Sequence, residues 1–86
     1  MKLEKLEILK KHCYTPLVYQ RINKKLGVNF SVKEIEHFIK KIIKETNKNN
    51  FEKIGKNFYV SNTKFNIKIT VNSNTFRIIT VDKLVK

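Results

Sequence analysis

Two periodicities divide the chain. From Leu3 to Ile43 apolar residues recur at steps of three and four, and from Phe51 onward they alternate with polar ones. The first spacing is that of a helical face, the second that of a strand. Residues 2–13 put Leu3, Leu6, Leu9 and Cys13 on one helical stripe. Tyr14-Thr15-Pro16 closes that helix and opens a second over 16–26. Thr15 suits the N-cap, and Pro16 suits a first-turn position that needs no backbone donor. Leu17, Val18, Ile22 and Leu26 make the buried stripe of this helix, and Gln20, Arg21, Lys24 and Lys25 its outer face. Gly27 suits the position just past its end. The third helix, over 32–46, has the clearest start, with Ser31 and Glu34 as a capping box and Phe30 and Ile35 as a hydrophobic staple. Ile35, Phe38, Ile39, Ile42 and Ile43 then keep the helical period without a miss.

Strands are predicted over 51–54, 57–60, 65–72 and 75–81. Gly55-Lys56 joins the first two as a hairpin, with Phe58 and Val60 inward and Tyr59 outward. Ser73-Asn74 reads as a two-residue loop between the last two. In that register Ile69 faces Ile78, Ile67 faces Thr80, Val71 faces Phe76, and Lys68 and Arg77 share a polar face that holds no carboxylate. The fold class is α+β: about three N-terminal helices packed on a C-terminal antiparallel sheet of about four strands, a single domain over 1–86.

Charge sharpens the functional picture. With 19 Lys and Arg against 7 Asp and Glu, the net charge is +12, which favours a polyanionic partner. A low-GC genome also enriches Lys, Asn and Ile, but it should raise Glu alongside Lys. The single cysteine, Cys13, excludes a disulfide framework and a cysteine-based metal site, and on an apolar stripe it reads as a small buried side chain. No apolar run is long enough to span a membrane and the N-terminus lacks signal-peptide features, so a cytoplasmic protein is expected. His12 and His37 fall on different helices and the only glycines are Gly27 and Gly55, so neither a metal, a cofactor nor a phosphate loop is expected.

What remains chemically open is RNA binding and metal-independent RNA cleavage, which needs a base, an acid and cations at the phosphate. His12, Tyr59 and Arg77 are the catalytic candidates, with His37 a further proton-transfer group. Arg21, Lys24, Lys25, Lys56, Lys64, Lys68 and Arg77 are the nucleic-acid-binding candidates. Arg21 and Arg77 are the only arginines beside 17 lysines, and a guanidinium fork holds phosphate bidentately where an ammonium cannot. Plainer roles compete. His12 can complement a helix dipole, His37 can be solvated surface, Tyr59 can be ordinary strand filler, and Lys40, Lys41 and Lys44 can be the wet side of a helix.

Taken together, CYTPLVYQRINKKLG, FSVKEIE, GKNFYV and ITVNSNTFRIITVDK resemble a family of small bacterial proteins catalogued as a domain of unknown function, number 3781. That resemblance implies no activity. The layout of helices with an arginine-containing segment, then a sheet ending in IITV, is similar to that of RelE- and BrnT-like ribonuclease toxins. It implies phosphate-binding roles for Arg21 and Arg77, a site flanked by Thr80, and an antitoxin or other acidic protein as partner. No residue set here matches a catalytic motif of those toxins. RINKKLGVNFSVKEIEHFIKKI also resembles a helix-turn-helix with the strands as a wing, although GVNF is long for the turn and Glu34 and Glu36 would oppose phosphates. The expectation is a nucleic-acid-binding domain, RNA ahead of DNA, that could cut RNA. A winged-helix DNA binder and a protein-interaction (inhibitor) module are the alternatives. An uncovered sheet edge would also allow a homodimer.

Overall fold

A computed structural model describes residues 4–84. Three helices, α1 (Glu4–Lys11), α2 (Pro16–Leu26) and α3 (Val32–Glu45), precede a short 3-10 turn at Lys48–Asn50. Four strands follow, β1 (Phe51–Ile54), β2 (Asn57–Asn62), β3 (Ile67–Asn72) and β4 (Ile78–Lys83). They form one antiparallel sheet in the order β1-β2-β3-β4, so the chain is an α+β fold with its helices N-terminal.

α2 and α3 form where the sequence marks their ends, although Thr15 ahead of α2 makes no side-chain capping bond. At α3, the Glu34 amide donates to Ser31 Oγ at 3.2 Å and the Ser31 amide donates to Glu34 Oε1 at 2.7 Å, which closes the capping box. Its stripe Ile35, Ile39, Ile42 and Ile43 is wholly buried. α2 buries Val18, Ile22 and Leu26 and ends at Gly27, whose φ of +68° is the left-handed value that glycine adopts without penalty. Leu17 departs from the expected stripe and is 70% exposed. In α1 the buried residue is Ile8, not the expected Leu6 or Cys13, both of which are exposed; Leu3 lies outside the described residues. The helix is too short for a full stripe, and Ile8, with the partly buried Leu9 beside it, pins it to the core.

The core is a slab between the helices and the inner face of the sheet, where Phe58, Val60, Ile67, Ile69, Val71, Ile78 and Val81 meet the α2 and α3 stripes. One buried polar link crosses it. Thr46 Oγ1 donates to the Ile42 carbonyl at 2.6 Å and accepts from Asn62 Nδ2 at 2.9 Å, while Asn62 Oδ1 accepts from the Phe65 amide. That arrangement ties the end of α3 to the β2–β3 turn and leaves none of these groups unpaired.

Gly55-Lys56 makes the expected two-residue hairpin, with Ile54 opposite Asn57 and Gly55 at φ +62°. The β3–β4 register differs from expectation. Ile69 pairs with Val81, Thr70 with Thr80 and Val71 with Ile78, and a bulge falls between Thr70 and Val71. The cause is the turn. Asn72 Oδ1 accepts from the Asn74 and Thr75 amides, the Phe76 amide donates to the Asn72 carbonyl, and the Asn72 amide donates to the Arg77 carbonyl. This side-chain-closed turn makes 73–76 a four-residue loop and leaves Phe76 at φ +61°. Arg77 therefore stands at the end of the loop, before β4 begins, opposite Asn72 and no longer a diagonal neighbour of Lys68. The sheet's outer face is not free of carboxylates either, since Asp82 lies directly opposite Lys68 and Glu52 opposite Tyr59.

Replacing Asn62 by Ala removes both bonds at the buried link and orphans the Phe65 amide. It should lower urea-measured stability by about 2 kcal/mol, against less than about 0.5 kcal/mol for Thr63→Ala at an exposed position of the same turn.

Candidate functional site

β4 has a free edge, and α2 lies along it. The link starts at Cys13, which forms a parallel bridge with Arg77: the Cys13 amide donates to the Phe76 carbonyl at 3.0 Å and the Ile78 amide donates to the Cys13 carbonyl at 2.9 Å. One turn into α2, Arg21 donates from its guanidinium to the Ile79 carbonyl at 3.3 Å, and Lys25 reaches Asp82 at 2.8 Å. The helix thus runs parallel to β4, its N-terminal end beside the start of the strand.

At that end a pocket of about 230 Å³ opens between α2 and the start of β4. Thr15, Leu17, Arg21, Asn72, Arg77 and Ile79 line it, with Val18 and Ile78 at its base. Both arginines of the chain reach it. Arg21 spends one of its five donors on the Ile79 carbonyl, and Arg77 Nε meets only Thr75 Oγ1 at a long 3.4 Å. Among the described residues neither guanidinium has a carboxylate partner, and the nearby Asp82 is held by Lys25. Two cations facing one small cavity with no counterion repel, and an anion placed between them would relieve that repulsion. The exposed α2 face continues the basic surface away from the pocket through Gln20, Lys24 and Lys25.

The other candidates are dispersed. Lys56 sits in the β1–β2 turn at the same end of the sheet, where its carbonyl accepts from the Ser73 amide and hydroxyl and anchors the Arg77 loop. Lys64 is at the opposite end, 3.8 Å from Glu45 and over the Phe65 ring. Lys68 lies on the outer face, 5.6 Å over the Tyr59 ring. His12 belongs to the helix side: its Nδ1 lies 2.9 Å from the Ile8 carbonyl and 3.2 Å from that of Leu9, so it caps α1, and its ring meets Tyr14 edge-on. Tyr59 is on the far face of the sheet. The sheet therefore separates His12 from Tyr59, and His37 is exposed on α3. Among the described residues no group of three His, Cys, Asp or Glu could hold a metal, and no helix is long and apolar enough to cross a membrane.

Sequence reasoning missed Asn72 and Leu17 as pocket residues. The Asn-Ser-Asn run at 72–74 was a usable signal, because an Asn that opens a turn through its own side chain lengthens the loop.

With this geometry in place, comparison with known families is decisive on one point. A family model described as "Protein of unknown function (DUF3781)" matches residues 6–82. The chain belongs to that family. The match covers Arg21, Asn72 and Arg77 alike. No functionally curated protein and no solved structure matches the chain, so nothing ties it to the RelE- or BrnT-like toxins.

Behind the bridge, Tyr14 stacks on Tyr19 with centroids 5.4 Å apart, and the Tyr19 hydroxyl donates to Glu36 Oε2 at 2.6 Å. Burial, then the bond to Glu36 and its charge, pushes the Tyr19 phenol up to about 12 from 10.0, and burial likewise raises Tyr14. A phenol raised in the folded state stabilises the fold below its unfolded value and loses that contribution as pH climbs through the folded value. Stability should therefore decline between pH 10 and about 12 more steeply in the wild type than in Tyr19→Phe, as followed by circular dichroism melts.

Proposed function

We propose that this protein binds RNA, and that the Arg21–Arg77 pocket with the adjoining face of α2 holds the phosphate backbone. The observation that carries the reading is the convergence of the only two arginines, from elements 56 residues apart in sequence, on one cavity without a carboxylate. A guanidinium pair supplies two planar forks, the geometry that suits phosphate oxygens. Lys24 and the net charge of +12 add attraction that draws a polyanion in from a distance. Leu17, exposed beside the arginines, offers an apolar contact for a ribose or base face. The reading stops at binding. Strand cleavage needs an acid and a base around one phosphate, and His12 and Tyr59 lie on opposite sides of the sheet.

The test is fluorescence anisotropy with single-stranded RNA, an RNA hairpin and duplex DNA, each at several salt concentrations. RNA should bind tightest, and affinity should fall linearly with the logarithm of salt. Arg21→Ala and Arg77→Ala should each weaken RNA binding about tenfold and reduce the salt slope by about one, with unchanged circular dichroism. Lys64→Ala, at the far end of the sheet, should change little. Equal binding by all variants would remove the arginine pocket as the site. Preference for duplex DNA, with the larger losses at Lys33 and His37 on α3, would point to the helix-turn-helix reading instead.

A further inference from the structure

The opposite end of α2 carries a second opening of different chemistry. A pocket of about 350 Å³ lies where the C-terminal end of α2 meets the start of α3 and the β2–β3 turn. Leu26, Val28, Phe30, Phe38, Phe65 and Ile67 line it, with Asn66 and Lys83 at its mouth. Three of these are aromatic and pack edge-to-face in series, Phe30 on Phe38 at 5.7 Å and Phe38 on Phe65 at 6.4 Å. The wall is held in place. Asn23 fastens Phe30 with two hydrogen bonds, Nδ2 to its carbonyl and its amide to Oδ1, both 3.0 Å, and Asn62 holds the Phe65 amide. Val28, Phe30, Phe38 and Phe65 are nonetheless only partly buried, a contiguous apolar patch on a chain that is otherwise heavily charged.

The rim is cationic. Lys83 is the charged residue of the lining, and the Lys41 ammonium stands nearby, 5.7 Å from the Phe65 ring centroid. The carboxylates nearby are already engaged: Glu34 caps the Ser31 amide, and Glu45 lies 3.8 Å from Lys64. Asp82, next to Lys83 in the chain, faces the other side of the sheet and binds Lys25. From this geometry we infer that the pocket binds a small amphipathic anion, a molecule with one acyl or single-ring apolar body and one carboxylate or other acid group. The volume is at the low end for ligand clefts and fits one such body but not a polypeptide segment. Burial of the body against the phenylalanines supplies affinity, and Lys83 at the mouth selects the sign of the head group. The site is separate from the arginine pocket, and either reading can fail without the other.

The experiment is calorimetric titration of the full chain with decanoate, decyltrimethylammonium and decanol, supported by displacement of 8-anilinonaphthalene-1-sulfonate followed by fluorescence. Decanoate should bind with saturation at one site and displace the dye, and the cationic and neutral analogues of the same chain length should bind more weakly. Val28→Trp, which fills a half-exposed wall position, should abolish decanoate binding. Lys83→Glu, at an exposed mouth position and therefore safe for the fold, should weaken it about fivefold. Arg21→Ala and Arg77→Ala should leave it unchanged. No saturable decanoate binding, equal binding of the anionic and cationic chains, or indifference to Lys83→Glu would each overturn the inference.

Discussion

The edge of β4 is the constraint from which the rest of the arrangement follows. A four-strand meander leaves two edges, and each exposes backbone donors and acceptors that would pair with another chain. β1 is blunted by being four residues long and by the exposed Glu52 and Lys53. β4 is six residues long and opens with Ile78-Ile79, so it needs a cover. The Cys13 bridge supplies backbone bonds at its start, and Arg21 and Lys25 reach its middle and end. Covering the edge this way fixes the direction of α2 and sets its N-terminal turn against the Arg77 loop. The arginine pocket is a by-product of that docking.

Much of this was legible in the sequence, and the failures have identifiable causes. The capping box at Ser31 and the isoleucine stripe behind it are local signals, each complete within a few residues, and α3 forms where they lie. The Gly55 hairpin is legible for the same reason, since only glycine takes a positive φ there cheaply. The β3–β4 register failed because Asn72 uses its side chain to close a longer loop, and Phe76 accepts a left-handed conformation that its packing on Phe58 supports, with centroids 6.1 Å apart. No residue-by-residue preference points to a phenylalanine there. The stripe of α1 failed for a different reason. In a helix of eight residues the tertiary neighbour decides which side is buried, and Ile8 outcompetes the sequence-regular Leu6.

Composition suggests the sign of the proposed partner but not its place. The lysines that looked equivalent along the sequence are in different situations. Lys25 and Lys64 sit beside carboxylates, Lys68 lies over Tyr59 and opposite Asp82, and Lys56 marks a turn whose carbonyl is already in use. The arginines differ from all of these in having donors left over after their structural bonds are made. A five-donor group can fasten an edge carbonyl and still present a fork to a ligand, whereas an ammonium that reaches a carboxylate has largely spent its charge. This explains why a chain with 17 lysines would keep an arginine at position 21, where both tasks meet.

The same comparison moves the proposed working surface off the sheet. In the two-residue-loop register the outer face would have carried Lys68 and Arg77 as diagonal neighbours among hydroxyls and amides. The observed register puts Asp82 beside Lys68, and at the middle of that face Thr70 is 6% exposed and the Thr80 hydroxyl oxygen is fully enclosed. Such a face gathers little positive charge, with one lysine at its centre and, directly across the ladder, an acid that Lys25 holds at 2.8 Å. The helix-flanked edge has the opposite character: two guanidinium groups, a cavity between them and no acid in its lining. A single bulge and a four-residue loop thus decide where the two arginines meet, by changing which residue stands opposite Lys68 and by taking Arg77 out of the strand and into the cleft beside Arg21.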